Sequence, residues 1–306
     1  MAKVAFFTEM GFNGKIPRTH DNMRVEFAWM CALEADHYNI KQIPIDRYDL
    51  GIVIIPKKNP DFNIDDIKLS CNKVAVMQEG PNWYWQDYPL DQQVWYFNTL
   101  TSADVIFTHN ESDRKYYQGL TAHSDVRVMP SLIIEDAVGR LDSQARSGVI
   151  IGGNFVSWYG GFDSYIIAQE LDKGKVHAPS MGRRQPLEEQ MLTHLPYLNW
   201  HDWMHELNKF KYGVHLMRTH AAGTFALNCA YLGIPCIGYK GLDTQEVCHP
   251  DLTVDMGDLQ SAKNLALRIR KDEDFYLYCS NKAIESYKNN YTEVNFKKKF
   301  YEYSFI

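Results

Sequence analysis

The sequence has no excess of positive charge, because 38 Asp and Glu outnumber 32 Lys and Arg, a formal net charge of −6 at pH 7. A protein that clamps phosphate backbones is usually basic, so this balance argues against extensive nucleic-acid binding and leaves room for a local basic patch. The sequence has no apolar run that approaches the roughly 18 residues of a membrane span. The apolar residues before Thr8 are too few for a signal peptide. We therefore expect a cytoplasmic protein without a membrane span.

Familiar ligand motifs are equally scarce. None of the six cysteines forms the CxxC pair of zinc and redox sites, which predicts reduced, mostly buried thiols rather than a disulfide framework. The GxGxxG order of the dinucleotide fingerprint is also absent. What the sequence does have is an ordinary globular composition, with 45% hydrophobic and 23% charged residues. Over 306 residues, this composition indicates two domains or one large α/β unit.

Apolar strands alternate with helix-like stretches, a pattern typical of parallel sheets covered by helices on both faces. A polar stretch at 135–148 interrupts the pattern, as a domain boundary does. We therefore predict an α/β fold of two doubly wound, Rossmann-like domains, at 1–140 and 147–285, with residues 286–306 forming a helix that packs back on the first. Ligands of such sheets bind beyond the carboxyl ends of the strands, so the default site is a central cleft that both sheets face. In the second domain we expect a helix over Glu189–Leu195 and a strand over Tyr197–Trp200.

The loop after the first predicted strand combines glycines with charged side chains just before a helix. Glycine lets the backbone turn tightly against a ligand, and a helix start directs backbone N–H groups outward. An ordinary glycine loop whose Asp21 or Asn22 caps the helix is the alternative. We place Gly14 at a donor ligand, and we place three cationic or imidazole side chains at an acceptor: Lys15, Arg18 and His20.

A second loop, Gln78–Pro89, carries adjacent aromatic residues that are costly to expose. Trp83 and Trp85 could stack on a sugar or a nucleobase of the acceptor, or they could pack against the other domain. Glu79 stands at the strand tip, where a general base would stand.

Three loops of the second predicted domain offer further ligand groups. Asn154 lies in a loop with glycines at both ends, a plausible phosphate or sugar loop. Arg183, next to Arg184, could pair with phosphates or form a solvated surface pair. The stretch Tyr197–Trp203 could hydrogen-bond to a nucleobase and stack on it, or it could hold a buried Trp pair. Its predicted nucleobase contacts are Asn199, Trp200 and His201.

The stretch Met217–Tyr239 ends one predicted strand with Arg-Thr-His and then begins a helix at Gly223-Thr224. A helix N-terminus beside a cationic or hydrogen-bonding imidazole makes an anion site. A plain β-α-β unit with a capping Thr explains the helix and the glycine, but it does not explain the polar triplet. The predicted donor contacts here are Arg218, Thr219, His220, Gly223, Thr224 and Asn228.

The segment from Thr219 to Pro235 resembles the donor-site pattern of the GT-B class of nucleotide-sugar glycosyltransferases. In many UDP-sugar enzymes of that class the pattern runs Thr-His, a turn of small residues, Glu, then Gly-x-Pro. The resemblance implies that His220 and Thr224 meet a diphosphate, and that Asn228 replaces the Glu that grips a ribose. It also implies that Asp243 and Gln245 hold hydroxyls of the donor sugar.

A narrower resemblance is to the T-even phage DNA glycosyltransferases, which modify hydroxymethylcytosine. It is carried by Ser102–Asp113, by "VAVMQEG" and by the terminal "YKNNYTEVNFKKKFYEY". It implies bacteriophage DNA modification in the host cytoplasm, with double-stranded DNA containing 5-hydroxymethylcytosine as acceptor. The Arg/Lys pair of that type is missing after the first strand of the second domain, so an arginine elsewhere would have to substitute: Arg183, Arg184 or Arg218.

The resemblance implies transfer of a hexose or pentose from a UDP-linked donor, with no cofactor and no obligatory metal. An inverting enzyme needs a base in the first domain, for which Glu79 and Asp21 are the candidates. A retaining enzyme does not, and the sequence leaves the stereochemistry and the oligomeric state open. Other functions stay open too: transfer to a cell-surface glycan or a small molecule, sugar-nucleotide epimerisation, and sugar binding without catalysis.

Overall fold

The computed structural model describes residues 2–12, 14–56, 62–78, 80–122, 125–142 and 145–302. The chain divides into two compact units. The N-terminal unit comprises Met1–His20, Val25–Pro130 and Glu293–Ile306, and the C-terminal unit comprises Asp21–Arg24 and Ser131–Thr292. The short segment Asp21–Arg24 therefore belongs to the C-terminal unit, although it lies early in the sequence.

The N-terminal unit is built on a seven-stranded sheet with the order β2-β3-β1-β4-β5-β6-β7. All neighbouring strands are parallel except β2, which runs antiparallel to β3 at the edge. The central strands are nearly continuous apolar runs because both faces of the sheet are buried. The strands are β1 (Val4–Thr8), β2 (Gly14–Lys15), β3 (Asp36–Asn39), β4 (Tyr48–Ile55), β5 (Cys71–Gln78), β6 (Val105–Thr108) and β7 (Val126–Val128).

Two helices of this unit, α2 and α4, begin at asparagine caps. The side chain of Asn63 accepts a hydrogen bond from the backbone of Asp65, and Asn110 does the same for Asp113. A 3₁₀ helix at Asn82–Asp87 follows β5. The α-helices are α1 (Glu26–Ala32), α2 (Ile64–Lys68), α3 (Leu90–Ser102) and α4 (Glu111–Thr121).

The C-terminal unit is built on a six-stranded sheet with the order β10-β9-β8-β11-β12-β13, and every pair is parallel. The strand order reverses between β8 and β11, which is the topological switch point where open α/β sheets bind ligands. The strands are β8 (Val149–Ile151), β9 (Val176–Ala178), β10 (Leu192–His194), β11 (Tyr212–His215), β12 (Cys236–Tyr239) and β13 (Thr253–Val254).

Helices cover both faces of the second sheet, and α8 is apolar almost all round because it is nearly fully buried. The α-helices of this unit are α5 (Glu135–Val138), α6 (Gly161–Leu171), α7 (Trp200–Leu207), α8 (Thr224–Leu232), α9 (Asp243–Cys248), α10 (Leu259–Lys271) and α11 (Glu273–Asn290). The last helix, α12 (Glu293–Glu302), belongs to the N-terminal unit and buries Phe296 and Phe300 there.

The predicted α/β fold of two parallel-sheet domains is confirmed. Two predicted elements are wrong. Glu189–Leu195 is not a helix, because it contains the short strand β10, and Tyr197–Trp200 is not a strand but the loop that leads into α7. All six cysteines are buried and none of them forms a disulfide, as predicted. Within the described ranges, no helix combines the length and the hydropathy needed to cross a membrane.

Candidate functional site

The carboxyl ends of β8 to β12 meet at one edge of the C-terminal sheet because these strands are all parallel. A cavity of about 150 Å³ opens at this edge. Its walls come from the loops after β8, β9 and β10, from the start of α7 and α8, and from the segment Asp21–Arg24. The lining residues are Arg24, Gly152, Pro179, Ser180, Met181, Pro196, Tyr197, Leu198, Trp203, Thr224, Phe225 and Asn228.

The cavity has the size and lining of a site for one aromatic ring. A cavity of about 150 Å³ suffices for a benzene-sized ligand, whereas a whole drug-sized ligand needs at least about 300 Å³. Trp203 and Phe225 are buried in its wall, and Tyr197 is 77% exposed. An exposed tyrosine beside buried aromatic residues suits stacking on a planar ligand.

Asn228 lies in the cavity wall and is held by protein partners. In the amide orientation that satisfies both ends, its Nδ2 donates to the carbonyl of Thr224 at 3.0 Å. Its Oδ1 then accepts from the indole Nε1 of Trp203 at 2.9 Å. This network fixes the first turns of α8 against α7.

The N-terminus of α8 leaves backbone donors available. Gly223 precedes the helix with φ +65°, and a Cβ there would lie 2.1 Å from Oγ1 of Thr244, so this position requires glycine. Oγ1 of Thr244 donates to the carbonyl of Gly223 at 2.8 Å and holds the turn. No side chain in the described structure caps the helix, so its first N–H groups can receive an anion near Thr224.

Arg218 is committed to a carboxylate. Its Nη2 lies 2.9 Å from Oδ2 of Asp163, and the hydroxyl of Tyr239 donates to the same oxygen at 3.0 Å. The hydrogen bond that Arg218 donates to Asp163 raises the pKa of Arg218. Burial, together with Asp163, raises the pKa of Tyr239 to about 12. Thr219, the next residue, is buried.

His220 packs against the loop after β12. A Cβ at Gly241, whose φ is +112°, would lie only 2.2 Å from Nε2 of His220. Glycine at this position therefore makes room for the imidazole. Asp243, two residues farther, is half-buried at the start of α9.

Two residues predicted as donor contacts, Gln245 and Asn154, have interior side chains. Gln245 is 1% exposed, and its Nε2 donates to the carbonyl of Cys236 and to Oγ1 of Thr253 at 2.9 and 3.2 Å. Asn154 is fully buried, and its Nδ2 donates to the carbonyl of Arg183. Both side chains therefore hydrogen-bond to protein groups, and their donor roles stay predictions.

Arg183 itself is exposed and does not line the cavity. Its guanidinium carbon lies 5.4 Å from the ring centroid of Trp158, in the loop after β8. The arrangement is a cation–π contact between the loops after β8 and β9.

A buried glutamate that the sequence did not single out joins the same two loops. Oε2 of Glu188 accepts from the backbone of Phe155 and of Gln185, both at 3.2 Å. Its Oε1 lies 3.0 Å from Nε2 of His194 on β10. A glutamate in a polar stretch predicts a solvated side chain, so the sequence carried no signal of this role.

The predicted nucleobase contacts lie beside the cavity, not in it. Asn199 caps α7 by accepting from the backbone of Asp202 at 2.8 Å. Trp200 is buried, and His201 is exposed, with its ring centroid 4.2 Å from that of His205. The same stretch does supply the cavity, but through residues that the prediction passed over: Tyr197, Leu198 and Trp203.

Arg24 is a lining residue that the sequence did not reveal. Its guanidinium carbon lies 5.9 Å from the ring centroids of both Trp200 and Trp203. Burial lowers the pKa of this side chain. The carbonyl of Asp21 accepts from the backbone of Trp200 at 2.7 Å and secures the segment. Val25 follows with φ 45°, a strained conformation for a β-branched residue that costs about 1–3 kcal/mol.

Among the predicted acceptor contacts, Trp85 has an interior side chain. It is 2% exposed and stacks on Tyr96 in the core, with ring centroids 4.7 Å apart, and its acceptor role stays a prediction. Its indole donates to Gln78. Trp83 is half-buried in the 3₁₀ helix after β5. Glu79 lies outside the described residues.

The first loop is divided between the units. Gly14 pairs with β3 in the edge strand, and Lys15 lies 3.9 Å from Glu34. Arg18 forms an ion pair with Glu293 on α12 at 2.6 Å, and His20 stacks on Phe27 at 4.9 Å. The donor role of Gly14 and the acceptor roles of the other three residues stay predictions. The catalytic role of Asp21, which is exposed in the C-terminal unit, also stays a prediction.

Within the described residues, no three His, Cys, Asp or Glu side chains cluster closely enough to hold a metal ion.

No protein-family model matches the chain, and no curated protein is significantly similar to it in sequence. Solved structures are similar. HepE of Anabaena with UDP and glucose gives a TM-score of 0.70 at 9% identity, over 99% of both chains. An α-glucosyltransferase with UDP-glucose and DNA containing an abasic site gives 0.65 at 14%, over 98% of both chains.

A variant of S. aureus TarM, solved with Fondaparinux, alpha-GlcNAc-glycerol and UDP, gives a TM-score of 0.61 at 10% identity. The alignment covers 83% of this chain, which spans only 54% of that TarM chain. These neighbours share the GT-B architecture, so the predicted GT-B fold is confirmed.

Proposed function

We propose that the protein is a GT-B glycosyltransferase whose C-terminal unit binds a nucleotide-diphosphate sugar. The observation that carries the proposal is the cavity at the strand-order switch point, which combines aromatic walls with the uncapped start of α8 at Thr224. The base of the nucleotide would enter the aromatic cavity, and the diphosphate would meet the N–H groups of α8.

UDP is the favoured nucleotide. The HepE, α-glucosyltransferase and TarM structures all contain UDP or UDP-glucose, which supports a uridine donor for a chain of this fold. The transferred sugar is a hexose or a pentose.

The reaction breaks the bond between the sugar's anomeric carbon and the diphosphate and joins that carbon to an acceptor hydroxyl. The start of α8, with His220 nearby in sequence, would stabilise the negative charge on the leaving diphosphate, with no obligatory metal. In an inverting reaction a base takes the hydroxyl proton, and Asp21 and Glu79 remain the predicted candidates. A retaining reaction dispenses with that base.

As acceptor we favour 5-hydroxymethylcytosine in phage DNA. The sequence resemblance to phage DNA glycosyltransferases supports this acceptor, as does the structural neighbour solved with DNA, which matches over 98% of both chains. A glycan acceptor is the competitor, because the TarM neighbour contains glycans and the net charge here is −6.

A thermal-shift screen with nucleotides and nucleotide-sugars tests the donor. A ligand present at about 100 times its dissociation constant should stabilise the protein by roughly 2.7 kcal/mol. We expect UDP and a UDP-sugar to raise the melting temperature, with uridine weaker. If no nucleotide-sugar shifted it, the proposal would be wrong.

Transfer assays then test the acceptor. Labelled sugar should pass from the UDP-sugar to duplex DNA containing 5-hydroxymethylcytosine and not to a matched duplex containing cytosine. DNA-dependent turnover should fall steeply with added salt because phosphate contacts release counterions. Transfer to a glycan but not to DNA, with little salt dependence, would favour the competitor.

A further inference from the structure

Arg24 is the only charged side chain among the residues that line the cavity in the described part of the chain. Its partners are two indole rings and the carbonyl of Leu198, to which Nη2 donates at 3.5 Å. No described carboxylate pairs with it. The guanidinium of this lining residue therefore has N–H donors and no counter-charge.

A partly buried cation without a counter-ion is unusual. Removing a charge from water is costly unless a partner of opposite charge or several hydrogen bonds replace the water. Contact with indole faces recovers part of that cost, but it satisfies none of the N–H groups. A ligand anion would supply both the opposite charge and the hydrogen-bond acceptors for the N–H groups.

None of the three arginines that the sequence analysis considered for the diphosphate lines the cavity. Arg184 donates to Oγ of Ser180 at 3.4 Å. Arg218 pairs with Asp163, and Arg183 lies over Trp158, and neither lines the cavity. Arg24, in contrast, shares the cavity wall with Thr224 at the uncapped start of α8. Two independent anion-binding features therefore face one space.

We propose that Arg24 is a ligand for a phosphate group of the nucleotide, contributed to the C-terminal unit by the early segment Asp21–Arg24. The planar guanidinium matches phosphate oxygens in a bidentate arrangement, which an ammonium cannot reproduce. The assignment rests on the proposed nucleotide-sugar site and names one of its binding residues.

The test compares the wild type with Arg24→Met and Arg24→Lys by titration calorimetry, using UDP, uridine and inorganic pyrophosphate as probes. Methionine keeps an unbranched stem against the two indoles, and lysine keeps the charge. Arg270 is exposed on α10 and does not line the cavity, so Arg270→Ala removes the same charge and is the matched control. Thermal melts of each variant confirm that it folds.

We expect Arg24→Met to bind UDP about 10- to 100-fold more weakly, because a hydrogen bond to a charged group contributes about that factor. The uridine affinity of Arg24→Met should change little. The UDP affinity of Arg24→Lys should lie between those of Arg24→Met and the wild type, and Arg270→Ala should bind UDP as the wild type does. The loss of UDP affinity should shrink as salt is added.

Equal losses for UDP and uridine would overturn the assignment, since Arg24 would then contact the nucleoside. Unchanged UDP affinity in a folded Arg24→Met variant would overturn it as well. A wild type that binds pyrophosphate through Arg24 but not UDP would refute the proposed donor while keeping Arg24 as an anion ligand. A wild type that binds neither would refute both.

Discussion

The hydrogen bond between Trp203 and Asn228 offers a quantitative test of the cavity wall. Its N···O distance is 2.9 Å, and both residues are buried. Trp203→Phe removes the indole donor and leaves Oδ1 of Asn228 without its partner. A buried polar atom left unpaired costs about 1–3 kcal/mol, in addition to the packing lost with the smaller ring.

A double-mutant cycle separates the two contributions. Asn228→Leu removes the amide, so the double variant has neither the bond nor the orphaned oxygen. We expect a coupling free energy of about 1–2 kcal/mol, within the roughly 0.5–3 kcal/mol seen for residues in contact. The free energy of unfolding should be measured by urea denaturation with circular dichroism as the signal. The dependence of that free energy on urea concentration should be the same in each variant as in the wild type.

The same variants link stability to binding. Asn228 also donates to the carbonyl of Thr224 at 3.0 Å. Variants that remove or displace its amide should therefore weaken UDP binding at the start of α8. Coupling below about 0.5 kcal/mol, which is near the limit of additivity, would refute the hydrogen-bonded amide orientation.

Three further predictions address other parts of the molecule. Gly223→Ala should destabilise the C-terminal unit by at least about 1–2 kcal/mol, because φ is +65° and the new Cβ meets Thr244. It should also weaken UDP binding. Thermal melts measure the stability, and titration calorimetry measures the UDP affinity. Burial lowers the pKa of His249 to about 4, so the unfolded chain binds more protons in acid and stability falls as the pH drops. His249→Gln keeps a hydrogen-bond donor for the carbonyl of Ala226 but removes the titrating imidazole. Between about pH 7 and pH 5, its free energy of unfolding should therefore fall by about 2 kcal/mol less than that of the wild type, which urea titrations measure. Trp85→Ala should cost about 3–5 kcal/mol of stability and leave UDP affinity unchanged, whereas a residue that binds the acceptor would affect turnover without such a loss.

The sequence predicts the fold well because burial on both faces forces apolar residues into every central strand of a parallel sheet. It also locates the edge at which the cavity opens, since parallel strands direct their carboxyl ends to one side. The stretch around Tyr197 and the start of α8 at Thr224 were both predicted as ligand regions, and both line the cavity.

The sequence cannot tell which way a polar or aromatic side chain faces. Gln245, Asn154 and Trp85 stand near strand ends, yet each is interior and bonded to protein groups. The short strand β10 was missed because three strand residues carry too little periodicity to outweigh a helical pattern. Arg24 was missed because its partners lie more than 170 residues later in the chain.

The central claim is that the cavity in the C-terminal unit binds the nucleotide of the donor. Ser180 lines this cavity and is partly exposed, so Ser180→Trp should fill it with an indole ring without disturbing the core. The decisive measurement is calorimetric titration of UDP into the wild type and into this variant, with thermal melts to show that both are folded. We predict saturable binding to the wild type and at least about 50-fold weaker binding to the variant, since the cavity has room for only one ring. Equal UDP affinity in the two proteins, or no binding to the wild type, would contradict the claim.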